Sequence, residues 1–228
     1  MDERRKLYAP DVWKLPKDGH IRTRLCQVWF PGVHISVGGG TSDNIEDVPR
    51  EDREQFADIT FAWMLDRIQP YLALDWSSLD QMLGSNAGLK DLGYATGVLH
   101  DSMSFIWWLL GGAKTRSPGS YHDPDNEYTV ERIHPSVHFR QYADARQGRT
   151  AYRPAALEGW RREWSADEKN RRHGWVWRKD GSSKKLWEFK IGHMPQERSV
   201  ERRLIERFTW PAEILQQLDD EWGWGDDA

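Results

Sequence analysis

The segment "LCQVWFPGVHISVGGG", Leu25 to Gly40, constrains the fold of this chain more than any other. Leu25 to Phe30 is a nearly continuous apolar run closed by Pro31-Gly32. A run without polar alternation suits a strand buried on both faces of a parallel sheet, because strands with one wet face alternate. The pattern predicts a central strand, stopped where proline removes a ladder donor and glycine lets the chain turn. His34 then stands just beyond the carboxyl end of that strand, where open α/β sheets place their ligands. Gly38, Gly39 and Gly40 could offer N–H groups to an anion, but they read more simply as a turn that needs φ > 0. No Gly-Lys-Ser/Thr is present, which excludes a Walker-type phosphate loop.

A loop rich in Gly, Ser, Asp, Asn and Pro follows to Pro49, and the pattern from Glu51 to Gln69 predicts a helix stopped by Pro70. Phe61, Leu65, Ile68 and Leu72 form one apolar stripe and Ile59, Ala62 and Trp63 another, so most of this helix is expected to be buried. Strand, glycine loop and buried helix make half of a parallel βαβ unit. Ser77 to Leu83 reads as a short capped helix, and His100 to Leu110 as an apolar one ended by Gly111-Gly112. The polar loop from Lys114 to Tyr128 marks an internal boundary, with 1–116 as a hydrolase-like core portion and 117–228 as a Trp-rich hairpin and helical region of the same domain. His173 to Ile191 predicts a hairpin about Asp180-Gly181-Ser182-Ser183, with Trp187, Phe189 and Ile191 alternating against Glu188 and Lys190. Val200 to Arg207 and Pro211 to Leu218 read as two closing helices.

Composition narrows the function classes. The chain has 228 residues, of which 14 are Trp, so it is long and aromatic enough for a substantial core. Its 32 Lys and Arg against 36 Asp and Glu give a net charge of −4, which argues against nucleic acid as a partner. Arg171, Arg172, Arg178, Lys179, Lys184 and Lys185 interleave with Trp175, Trp177 and Trp187, but the expected arrangement has the rings in a hairpin core and the charges in water. Cys26 is the single cysteine and no N-x-S/T acceptor occurs, which fits a reducing compartment, the cytoplasm. Cys26 itself is expected to pack as a small buried hydrophobe. The first residues carry no apolar signal region, and the longest apolar run, Phe105 to Leu110, falls far short of the roughly 20 residues that span a bilayer.

No metal or cofactor site is expected. Asp43, Asn44, Glu46 and Asp47 lack the glycine and distal glutamate of a calcium loop. His122, Asp123, Asp125 and Glu127 match no zinc spacing, and one cysteine excludes thiolate sites. His34 is the candidate general base, which needs a carboxylate on one ring nitrogen and a hydroxyl on the other. No serine has Gly at both −2 and +2, and "GSNAG" (Gly84 to Gly88) places its serine one position early. The nucleophile elbow is absent.

"DERRKLYAPDVW", "QVWFPGVHISVGGGTSDN", "ADITFAWMLDRIQPYL", "RIHPSVHFR" and "YRPAAL" occur in this order. Together they resemble the α/β-hydrolase family typified by the type VI secretion phospholipase effector catalytic domain, in particular its uncharacterised fungal members, over nearly the whole chain. The resemblance implies a lipase-like serine hydrolase fold and a lipid or ester substrate. It places Asp2 to Arg5 just before the last core strand and His34 at the triad histidine, with His134 of "RIHPSVHFR" as the alternative. The serine and the acid of the triad have no counterpart by this comparison, and Ser36 stands where relatives carry Asp or Asn. The expected architecture is α/β, the C-terminal part of a hydrolase-like parallel sheet with packed helices, followed by the Trp-rich hairpin and C-terminal helices.

Three functions are compatible with this pattern. The first is a truncated family member, inactive alone because nucleophile and acid are missing, whose exposed sheet edge favours self-association. The second is an active phospholipase or esterase whose N-terminal half lies outside this chain. The third is a non-enzymatic module that binds a protein or lipid surface through its apolar segments.

Overall fold

The computed structural model describes residues 1–16, 23–40, 50–84, 93–101, 109, 111–121, 127–146, 150–167, 172–191 and 199–208. The predicted helix at Pro211–Leu218, most of the predicted helix at His100–Leu110, the 41–49 loop and the His122–Asn126 segment lie outside them. Two compact units are interleaved along the chain. The first comprises Met1–His34, Asp101–Val137 and Arg153–Phe189, and the second Ile35–His100, His138–Tyr152 and Lys190–Ala228.

The strands fall in the first unit. In chain order they are β1 (Leu15–Pro16), β2 (Gln27–Trp29), β3 (Glu127–Tyr128), β4 (Glu131–Ile133), β5 (Trp160–Asp167), β6 (Arg172–Lys179) and β7 (Lys185–Glu188). β1 and β3 form an antiparallel pair, and the other five make a sheet in the order β2-β4-β7-β6-β5. β2, β4 and β7 run parallel, while β7, β6 and β5 are antiparallel, so the α/β expectation holds but the sheet is mixed rather than parallel.

β2 is shorter than expected and lies at one end of this order instead of the centre. Its residues are half-buried, and Cys26 is exposed rather than packed. Hydrophobic content could not reveal this, because Trp29 spends its amphipathic character locally: its indole N–H donates to Glu131 Oε1 at 2.9 Å and its ring stacks on Tyr121. The predicted hairpin is β6–β7, with Gly181 at φ 65° in its turn, and β5 extends it by eight antiparallel pairs that the sequence pattern did not show.

Within β7 the alternation is inverted at one step. Phe189 and Ile191 are buried as expected, but Glu188 is buried and Trp187 only half-buried. Glu188 is stable there because Arg162 grips both its oxygens at 2.8 Å and the Trp177 indole N–H donates to it at 3.0 Å. Arg162, which the sequence reading did not include, lies 3.7 Å from the Trp175 ring centre, while Lys179, Lys184 and Lys185 are exposed as expected. Trp160 and Trp177 are core, while Trp164 is exposed.

The second unit is helical. It holds most of α1 (His34–Gly38), then α2 (Arg50–Ile68), α3 (Trp76–Gly84), most of α4 (Ser136–Arg146), and α5 (Val200–Ile205). α2 matches its predicted span, but its buried stripe is Phe56, Ile59, Ala62 and Leu65; Phe61 and Leu72 are exposed. Asp75 caps α3 by accepting from the Ser77 and Ser78 amides. Ser199 caps α5 by accepting from Arg202 N. Gly39 and Gly40 sit at φ 77° and 79°, which bears out the reading of the glycine run as a turn. A side chain at Gly39 would also meet Ala57 of α2 at 3.4 Å.

Candidate functional site

His34 is delivered by a short, rigid path. β2 ends at Trp29, Phe30 and Val33 are buried, and Gly32 turns the chain at φ 93°, a conformation that L residues rarely adopt. The residue after Met1 locks that turn from the other side: Asp2 N donates to Gly32 O at 3.1 Å, and Asp2 Oδ2 accepts from Gly32 N at 2.6 Å. With Asp2 pinned to Gly32, the next residue, Glu3, lies beside the first residue of α1.

The contact is close. Glu3 Oε2 is 2.8 Å from His34 Nδ1, with the Glu3 side chain 9% exposed and that of His34 47%. Arg5 donates Nε to Glu3 Oε1 and Nη2 to Glu3 Oε2, each at 2.9 Å, and its own amide donates to Oε1 at 3.0 Å. A buried carboxylate needs such compensation, and here a guanidinium fork provides it. The bonds to Glu3 hold the Arg5 pKa above its ordinary value, so the fork stays charged. Tyr8, in the turn at Lys6–Tyr8, stacks on the His34 ring with centroids 4.6 Å apart, and the Arg5 guanidinium carbon lies 4.0 Å over the Tyr8 ring.

Arg5 Nη2 also comes within 2.7 Å of His34 Nδ1, so two groups compete for one nitrogen. If Nδ1 were a bare lone pair it would face the Glu3 carboxylate at 2.8 Å without a proton between them. With the proton on Nδ1, Glu3 Oε2 accepts from both imidazole and guanidinium, and the Nη2–Nδ1 approach is then a close contact between two donors rather than a hydrogen bond. We therefore assign the Nδ1–H tautomer. Nε2 is left as an acceptor, and no described group hydrogen-bonds to it. A histidine oriented by a carboxylate through one nitrogen and open at the other can take a proton from a hydroxyl.

A carboxylate, that of Glu3, thus lies against His34, a contact that the sequence reading did not anticipate. The place of Glu3 in the "DERR" element was the one signal, since a contact between residues 31 positions apart leaves no periodic trace. Arg5 and Tyr8 were missed for the same reason.

His134, the alternative, is fully enclosed between the Phe30 and Phe189 rings, and burial lowers its pKa to about 3. Its Nδ1 accepts from the Ser136 amide at 3.1 Å and lies 2.7 Å from Ser136 Oγ, an arrangement that caps the start of α4. Ser36 is buried, with no partner for its hydroxyl among the described residues. The calcium-like loop and the His122–Glu127 cluster fall outside the described backbone or side chains, and no group of metal-ligating side chains occurs among the described residues.

Residues 1–67 match the family model described as T6SS, phospholipase effector Tle1-like, catalytic domain. The match takes in Glu3, Arg5, Tyr8 and His34. It stops before "RIHPSVHFR" and "YRPAAL", so the likeness is narrower than those motifs implied. No curated protein and no solved structure matches the chain.

Proposed function

We propose that His34, Glu3 and Arg5 form the proton-transfer half of a lipase- or phospholipase-like serine hydrolase site whose substrate is a lipid ester. The 2.8 Å contact between His34 Nδ1 and Glu3, on a histidine whose side chain is 47% exposed, carries this reading, and the family match over 1–67 supports it. In such a site Nε2 takes the proton of an attacking serine hydroxyl and returns it to the departing alkoxide, while the carboxylate keeps the ring in the productive tautomer. Arg5 fixes the carboxylate, and Tyr8 fixes the plane of the ring. His134 serves packing.

The nucleophile is the missing member. No G-x-S-x-G occurs in this chain, so incubation with a serine-reactive fluorophosphonate should give no labelling. Stoichiometric labelling abolished by one serine substitution would overturn this half-site reading. Imidazole nitrogen NMR checks the base itself: in the neutral ring the proton should reside on Nδ1, and a ring protonated on Nε2 instead would exclude the role assigned to His34.

A further inference from the structure

Arg116 is 2% exposed, and its side chain ends on the backbone of the turn that carries Arg5 and Tyr8. Nη2 donates to Arg5 O at 2.8 Å and to Tyr8 O at 2.6 Å, the two carbonyls that bracket the turn. Tyr8 N donates to the same Arg5 carbonyl at 3.1 Å. Beside it the segment is held by a backbone bridge between Arg5 and Ala113 and by Lys114 N donating to Arg4 O at 2.8 Å. Nε and Nη1 of Arg116 are buried and find no acceptor among the described residues.

That arrangement is costly for stability alone. A buried guanidinium with unused donors is a burden that an apolar side chain of similar volume would avoid. Departures of this kind concentrate where geometry matters to function. The geometry here is specific: the clamped turn presents the Arg5 fork to Glu3 and the Tyr8 ring to His34. We infer that Arg116 is a positioning residue for His34, acting through the Arg5–Tyr8 turn to hold the carboxylate and the stacked ring against the imidazole; the inference rests on His34 being the base. Both carbonyls are held by the single nitrogen Nη2, so lysine, which keeps a cationic donor, is the conservative replacement.

The test reads the His34 tautomer by imidazole nitrogen NMR in the full chain. Arg116→Ala should move the neutral ring from Nδ1–H toward the mixed population of a free imidazole, Arg116→Lys should move it less, and millimolar guanidinium should restore Arg116→Ala. Leu186→Ala, which removes a buried side chain elsewhere in the same unit, should leave the tautomer unchanged. A folded Arg116→Ala protein with the wild-type tautomer would overturn the inference, as would an equal response in Leu186→Ala. The wild-type chain offers a further check if neither Arg116 variant folds. Its Arg116 Nη2 protons should exchange with solvent at least about tenfold more slowly than those of the exposed Arg161, as expected for a buried side chain whose donors are held on two carbonyls; equal exchange would overturn the clamp. The two readings fail separately, since the base assignment is judged on the wild-type tautomer and the clamp on the change from it.

Discussion

Glu3 in the sheet-bearing unit and Asp66 in the helical unit are both closed off from water, but they are compensated differently. Glu3 has a guanidinium on both oxygens and an imidazole N–H on one. Asp66, on α2, accepts from neutral donors: Ser199 Oγ and Val200 N at 2.7 Å, and Glu201 N and Gln69 Nε2 at 3.2 Å. It thereby ties α2 to the start of α5. Burial raises the Asp66 pKa to about 6, outweighing the donors that stabilise its anion, and Glu201 pushes in the same direction. Glu201 is raised to about 8 by burial, against the lowering effect of Arg67. The comparison teaches that burial outweighs neutral donors at Asp66 and a distant cation at Glu201, whereas at Glu3 a guanidinium bonds directly to both oxygens.

The largest way to sharpen that contrast is pH. Asp66 and Glu201 have folded pKa values above their ordinary 3.8 and 4.5, so the folded protein binds more protons than the unfolded one across that window. Their contribution to stability is complete below about pH 4 and is lost as pH rises through about 6 and then about 8. Hydrogen exchange at α2 amides should show opening free energy falling by on the order of 4 kcal/mol from pH 4.5 to 8. Glu201→Gln should remove most of the slope; an unchanged slope would refute the assignment.

Asp66→Ala strands the donors at the head of α5 and should cost about 3 kcal/mol in urea denaturation at pH 6. In the other unit, Glu3→Gln keeps hydrogen-bonding capacity but leaves Arg5 without its counter-charge. A loss of about 2 kcal/mol is expected there, together with a loss of the Nδ1–H tautomer preference of His34 in imidazole nitrogen NMR. If Glu3→Gln left the tautomer untouched, the carboxylate would not be acting on the imidazole. Arg161→Ala breaks an exposed pair with Asp180 and should change stability by no more than about 0.5 kcal/mol, the baseline against which the buried acids are measured.

Much of the local structure was legible. The breaker Pro70 and the apolar spacing before it located α2, the Asp-Gly turn located β6–β7, and Pro31-Gly32 located the end of β2. Burial faces were less so. Phe61 and Leu72 satisfy a helical stripe as well as Phe56 and Ile59 do, and only the neighbouring elements decide which side is covered. Glu188 and Trp187 exchange their expected faces because Arg162, supplied by a strand 26 residues away in sequence, makes a buried glutamate affordable. Of the candidate site, His34 was legible from its place after a strand and from its motif, whereas Glu3, Arg5, Tyr8 and Arg116 were not.

By itself, then, the sequence determined where the chain turns, that β2, β6, β7 and α2 form where they do, and that His34 follows a strand through a glycine that permits the turn. Those are properties of φ preferences and of residue spacing over a few positions. Tertiary structure alone decided that β2 pairs with β4 across about a hundred residues, that Glu3 meets His34, and that Arg116 closes on the turn between them. Such pairings depend on which distant groups can satisfy one another's charge and hydrogen bonds once water is excluded, and no local pattern records that choice.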